Sequence, residues 1–314
     1  MGSYKPEEIL RRMLTAFDQG VKEIWLTSED TGAYGRDINT SIVDLLVTLV
    51  KAMPPGKMLR IGMTNPPYIL EHLEGISHVL NHPQVYKFLH IPVQAGNNNT
   101  LERMNREYTV EDFEQVCNYL KEHVTDMTIS TDIICGFPGE TEEEFQGTYN
   151  LIDKHRFPVL NISQFYPRPG TVAERMKQCN TKDKKDRSKR ITTLFESYKN
   201  MSHMMGRVER VWITEWEEHR KQGKILVGHT RNYSKVVIPY EEGLLGKEVI
   251  MKITKCETWH IEGEITDKNP EAISSSVGSF DELEKMYARK KAEHDALMEK
   301  RKLERREKLK QMRI

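Results

Sequence analysis

Between residues 5 and 200, short apolar runs alternate with amphipathic stretches of helical period, and that beat admits few architectures. Pro6 to Phe17 reads as a helix with proline at its start, an early glutamate pair and Gly20 as its stop. Glu23–Thr27 reads as a strand, 41–53 as an apolar helix closed by Pro54-Pro55-Gly56, and Met58–Met63 as a second strand. A helix over 68–80, a strand over Val85–Val93 and a helix over Val110–Val124 follow. Phe113, Val116, Tyr119, Leu120 and Val124 fall on one face of that last helix. The pattern closes with a strand over Met127–Cys135, a helix to about His155, a strand over Val159–Phe165, and a basic helix over roughly 182–204. Strands separated by helices imply parallel βαβ units, hence a (β/α) barrel or a doubly wound sheet. Polar residues collect where strands hand over to helices: Ser28, Glu29, Asp30, Thr64, Asn65, Gln94, Asp132 and Arg168. In a barrel these ends share one rim, where ligand sites form; taken singly, each also suits a cap or a turn.

Near residue 207 the rhythm changes. Short strands over 208–214, 224–229, 235–239, 248–256 and 259–265, parted by Gly and Asn turns, read as a small β-barrel. From Ser274 the chain turns polar. Residues 281–314 hold twelve Lys/Arg against eight Asp/Glu, which predicts a solvated helix or a disordered basic tail. The 314 residues thus divide into 1–204, 207–266 and 267–314. Net charge is zero, so a nucleic-acid partner has to be sought in local patches. No run is apolar enough to span a bilayer and the N-terminus is polar, which makes the cytoplasm the expected compartment. The four cysteines, Cys117, Cys135, Cys179 and Cys256, are scattered without metal-ligand spacing, so no metal site is expected.

Three loops carry the chemistry. They read His90-Ile-Pro-Val-Gln94-Ala-Gly96-Asn97, Asp132-Ile-Ile-Cys-Gly136-Phe-Pro-Gly139-Glu140-Thr141, and Phe165-Tyr-Pro-Arg168-Pro-Gly170-Thr171. Gly136 and Gly139 permit close backbone approach and Thr141 can cap the next helix, a ledge suited to a cofactor's polar groups. Together these segments resemble the methylthiotransferase family of radical S-adenosylmethionine (SAM) enzymes. Thr27-Ser-Glu-Asp-Thr-Gly-Ala-Tyr-Gly35 and Gly62-Met-Thr-Asn-Pro-Pro-Tyr68 look like the branch that modifies N6-threonylcarbamoyladenosine in tRNA. Residues 207–266 are similar to that family's TRAM domain, a small RNA-binding barrel.

The resemblance implies a partial (β/α) barrel holding SAM and a 4Fe-4S cluster on its open rim. It further implies radical 2-methylthiolation of the adenine next to the anticodon, with the tRNA anticodon stem-loop as partner. Carried over residue by residue, Ser28, Glu29 and Asp30 would meet the methionine ammonium, and Gln94 would lie beside cofactor and substrate. Asp132 would accept from ribose hydroxyls, the backbone around Gly136 would pass the adenine, and Arg168 would contact SAM or tRNA. Lys184, Lys185, Arg187 and Arg190 form a basic patch suited to phosphates, while Tyr233, Lys235, Trp216 and Trp259 could meet unpaired bases.

The family's C-x3-C-x2-C cluster motif precedes the segment matching Gly2–Glu8, and none of the four cysteines here matches it. The expectation is therefore an N-terminally truncated fold lacking its first strand, unable to cleave SAM alone, with Glu23–Thr27 exposing an edge. A non-catalytic RNA-binding module of the same ancestry, or a methylthiotransferase for isopentenyladenosine, are the competing expectations.

Overall fold

The computed structural model describes residues 2–219 and 223–271, together with Phe280, Lys285 and Arg289. Its first part contains α1 (Pro6–Asp18), β1 (Glu23–Leu26), α2 (Ile42–Ala52), β2 (Met58–Ile61), α3 (Pro66–Ile69), α4 (Leu73–Asn81) and β3 (Phe88–His90). It continues with α5 (Asn98–Arg103), α6 (Val110–His123), β4 (Thr128–Cys135), α7 (Glu142–His155), β5 (Val159–Gln164), α8 (Val172–Arg175) and α9 (Thr181–Ser197). Local chemistry starts these helices where expected. Ser41, Thr109 and Thr141 each cap the N-terminus that follows and are answered by Asp44, Asp112 and Glu144, closing three capping boxes.

All five strands run parallel. β1 pairs with β2, β3 with β4 and β4 with β5. Leu59 of β2 bridges in parallel to Val85, just ahead of β3, which sets the order 1-2-3-4-5. A doubly wound sheet reverses its strand order at a switch point; a sequential order without reversal is the arc of a (β/α) barrel. One face of the arc, with Leu26, Leu59, Ile61, Leu89, Ile129, Ile133 and Leu160, packs against the helices as a single core. The concave face carries Trp25, Arg60, Phe88, His90, Ser130, Asp132 and Asn161. Along the outer edge of β1, where no further strand pairs among the described residues, runs a groove of about 650 Å³ between Trp25 and Met13.

The second unit is a closed antiparallel-rich barrel of β6 (Val208–His219), β7 (Gly223–Thr230), β8 (Lys235–Pro239), β9 (Glu248–Cys256) and β10 (Ile261–Asp267). Val211, Ile213, Leu226, Val236, Val249, Met251 and Ile261 fill it. Closure removes the exposed edges that five short strands would otherwise present.

Several expectations shift in detail. The basic helix stops at Ser197, because Met201 and Met204 leave its axis to pack inside the small barrel. The third strand keeps only Phe88–His90, and a short helix, α5, appears where the sequence reading placed none. The expected charged tail over 281–314 lies outside the described residues apart from Lys285 and Arg289.

Candidate cofactor and RNA site

One chain of hydrogen bonds joins the five strands, at the C-terminal ends of β1 to β3 and within β4 and β5. At β1, Asp30 caps a short turn by accepting from the Gly32 amide at 3.1 Å, and reaches across to β2. There it accepts from Thr64 Oγ1 at 3.1 Å, from the Asn65 amide at 3.1 Å and from Asn65 Nδ2 at 2.7 Å. The Thr64 amide donates to the His90 carbonyl at 3.0 Å, tying β2 to β3. His90 Nε2 lies 2.8 Å from Asp132 Oδ1 on β4, and Asn161 Nδ2 of β5 donates to the same oxygen at 2.8 Å. The rim is therefore one polar network from β1 to β5.

Gln94 sits beside that network in a left-handed backbone conformation, φ 69°, which is uncommon for a residue with a side chain. Its amide donates to the Asp132 carbonyl and its carbonyl accepts from Ile134, so the β4 backbone holds it there. The next turn is pinned from beneath. The Gly136 amide donates to Glu140 Oε2 at 2.8 Å, and Arg187 Nη1 reaches the same carboxylate at 2.9 Å and the Glu140 carbonyl at 3.1 Å. Gly136 has φ +73°, and a Cβ there would stand 2.5 Å from Lys184 Cγ, so both conformation and space call for glycine. Burial acts to raise the Asp132 pKa, but hydrogen bonds from His90 and Asn161 outweigh it and hold the carboxyl below the usual range. Asp132 is thus an anion at neutral pH.

The structure brings Ser28, Glu29, Asp30, Gln94, Asp132 and Gly136 to this rim. It also reassigns some of them. Asp30 has both oxygens occupied within the protein and works as a staple between strand ends, whereas Ser28 and Glu29 are exposed beside it. Arg168 is exposed in the loop after β5, its side chain in no hydrogen bond or ion pair among the described residues.

The basic patch is thinner than its sequence suggests. Arg187 is only 6% exposed and is bound to Glu140, so it is unavailable to a phosphate. The signal was legible: Arg187 lies one turn ahead of Ile191, Leu194 and Phe195, on the buried face of α9. Lys184 lays its stem over Gly136 and donates to the Phe165 carbonyl at 3.2 Å. Arg190 is paired with Glu142 at 2.5 Å, which leaves Lys185 exposed together with Lys182 and Lys189.

Tyr233 is likewise committed, to the seam between the two units. Its ring lies 4.9 Å from Tyr86, 4.8 Å from Phe88 and 4.1 Å from His229, so it docks the small barrel rather than offering a face to a base. Lys235 pairs with Glu217 at 2.9 Å. Trp216 and Trp259 are 50% and 58% exposed, with Lys224 over the first and Phe195 beside the second. His90, Asn161 and Arg60 were missed as site residues. Their signal was a polar or charged residue at inward-facing positions of otherwise apolar strands.

Residues 1–152 match the family model described as the Radical SAM superfamily, so the first part of the chain is a radical SAM domain. Threonylcarbamoyladenosine tRNA methylthiotransferase of Drosophila melanogaster is 49% identical to the chain over 267 residues, 85% of this chain and 48% of that protein. The protein of that name from Homo sapiens is 50% identical over 253 residues, 81% of this chain and 43% of its own. Over most of its length the chain is thus similar to curated threonylcarbamoyladenosine tRNA methylthiotransferases, with a radical SAM domain in its first part, and it spans about half the length of these relatives. Among solved structures, coproporphyrinogen III oxidase of Escherichia coli, described as a radical SAM enzyme, aligns with a TM-score of 0.45 and 19% identity, covering 62% of this chain and 47% of that one.

The radical SAM domain implies SAM and a 4Fe-4S cluster. The described residues do not fit the cluster: no group of three His, Cys, Asp or Glu is placed to hold a metal. Cys117 and Cys135 are buried, and burial pushes both thiols up to about 12, far from the thiolate a cluster iron binds. The rim does offer groups of the kind SAM calls for, an exposed carboxylate at Glu29 and the anionic Asp132. No helix among the described residues is long and apolar enough to cross a membrane.

Proposed function

We propose that this chain is the SAM- and tRNA-handling part of a radical SAM methylthiotransferase acting on N6-threonylcarbamoyladenosine next to the tRNA anticodon. The observation that carries this reading is the continuous rim from Asp30 to Asn161, combined with relatives of that name over most of the chain. SAM, when bound together with a cluster, supplies the radical that activates an adenine C–H bond. The residues of this chain bind and orient. Glu29 stands where an ammonium group can be met, and Asp132, fixed by His90 and Asn161, presents an acceptor for hydroxyl groups. Glycine at 136 lets the turn after β4 pack closely under the Lys184 stem, and Glu140 with Arg187 keeps that turn in place. Lys182, Lys185 and Lys189, with Arg168, give the tRNA backbone a screened, salt-sensitive contact. The described residues hold no cluster ligands, so the role of this stretch is positioning and recognition.

Two measurements test the reading. Calorimetric titration of the chain with SAM should show binding that Asp132→Ala weakens about tenfold, the effect of losing one charge-assisted hydrogen bond. In tRNA from cells lacking the gene, the 2-methylthio form of N6-threonylcarbamoyladenosine should disappear, and unchanged amounts would defeat the assignment.

A further inference from the structure

Arg60 occupies β2, whose other residues, Met58, Leu59 and Ile61, are buried and apolar. Its guanidinium carbon lies 4.5 Å from the ring centroid of Trp25, 4.7 Å from Phe88 and 4.8 Å from Tyr233. Its Nε is closed off from solvent with no hydrogen-bond partner, and among the described residues no carboxylate forms an ion pair with it. Glu23, an acidic neighbour of the same aromatic cluster, is engaged elsewhere, accepting from Tyr86 Oη at 2.6 Å and from the Trp25 indole. A guanidinium keeps its charge at any physiological pH. Ring faces satisfy the plane of that cation, while its N–H edges, which pair with a carboxylate in the plane, stay unused.

Arg60 lines a cavity of about 330 Å³ on the concave face, closed on one side by the small barrel. Ser130 and Thr128 line its wall, and His90 and Asn161 stand where it meets the rim. The same two side chains hold Asp132, so the cavity adjoins the rim network through His90 and Asn161. Its other cations are already accounted for: Lys235 is paired with Glu217, and burial beside Arg60 pushes His229 down to about 4, leaving it neutral.

We propose that this cavity is a specificity pocket for the carboxylate-bearing N6 substituent of the modified adenosine, with Arg60 as the counter-ion. The inference rests on the function proposed above and names what that site selects. A threonylcarbamoyl group carries one carboxylate and one hydroxyl; Arg60 supplies the fork for the first, and Ser130 and Thr128 supply hydroxyl partners for the second. An isopentenyl substituent carries neither and would seal Arg60 into the pocket with its N–H groups unmatched. Sites built around polar groups reject analogues on that ground more strongly than apolar pockets reject by size.

The test uses the whole chain and three anticodon stem-loop RNAs, whose adenosine next to the anticodon bears the threonylcarbamoyl group, its methyl ester or an isopentenyl group. Titration calorimetry should show the free acid bound about ten- to a hundredfold more tightly than the ester, the range of a charge-assisted fork. Arg60→Gln should bring acid and ester to equal affinity, and Arg60→Lys should retain part of the preference. Equal affinity of the unaltered chain for acid and ester overturns the pocket and leaves RNA handling intact. Failure of all three RNAs to bind removes both. The acid–ester comparison needs no variant, so a poorly folded substitution cannot shelter the idea.

Discussion

The turn after β4 buries one arginine and the floor of the concave face half-buries another, on opposite terms. Beneath the turn, Arg187 meets the carboxylate of Glu140 at 2.9 Å, and that carboxylate also receives the Gly136 amide. On the floor, Arg60 is caged by Trp25, Phe88 and Tyr233 and forms no ion pair among the described residues. A buried charge that has its partner fixes a backbone; one that lacks it is set to receive something. The first arrangement explains a turn held still, and the second a pocket that distinguishes substituents.

The comparison can be broken by substitution and by acid. The largest effect is expected for Glu140→Ala, which strands Arg187 in the interior and frees the Gly136 amide. Unfolding in denaturant should show a loss of about 3–5 kcal/mol, and adding Arg187→Met should recover much of it. Recovery would fail if the turn depended on something other than this pair.

Acid should act next, at the floor. His229 stacks on Tyr233 and its pKa is lowered to about 4 by burial, then by Arg60 and Lys235, from an ordinary 6.5. A depressed histidine stabilises the fold above its unfolded value and loses that contribution as pH falls through the folded one. Stability should therefore decline between about pH 6.5 and 4, by on the order of 3 kcal/mol in total. Fluorescence of Trp25 and Trp212 during pH titration would follow it, and His229→Gln should flatten the curve in that window.

The smallest effect belongs to Arg60→Met. Because no carboxylate is orphaned, only the cation–ring attraction is lost, and thermal melting should report about 1–2 kcal/mol. A loss as large as that of Glu140→Ala would mean that Arg60 is a structural cation after all, and the contrast between the two arginines would dissolve.

Much of this was readable from the chain. The strand–helix beat, the three capping boxes and the glycine-bearing turn after β4 are local, and the rim residues at Ser28–Asp30 and Gln94 follow the ends of strands, with Asp132 inside β4. Illegible were the partners. Asp30 looked like a ligand and is a staple, because Thr64 and Asn65 of the next strand fold against it. Tyr233 looked like a stacking platform and is a plug, because the β7–β8 turn meets β3, where the Lys87 amide donates to the Arg231 carbonyl at 2.8 Å. Asn161 looked like any strand polar residue until β5 came beside β4.

Sequence alone determined the periodicities, and with them the parallel βαβ units and the small β-barrel, since hydrophobic spacing and turn chemistry act over a few residues; the order of the strands chose the arc. Tertiary structure alone decided which charges are neutralised and which are left waiting. Ion pairs and aromatic cages are made between segments tens to more than a hundred residues apart, and a carboxylate's availability depends on what stands within a few ångströms of it.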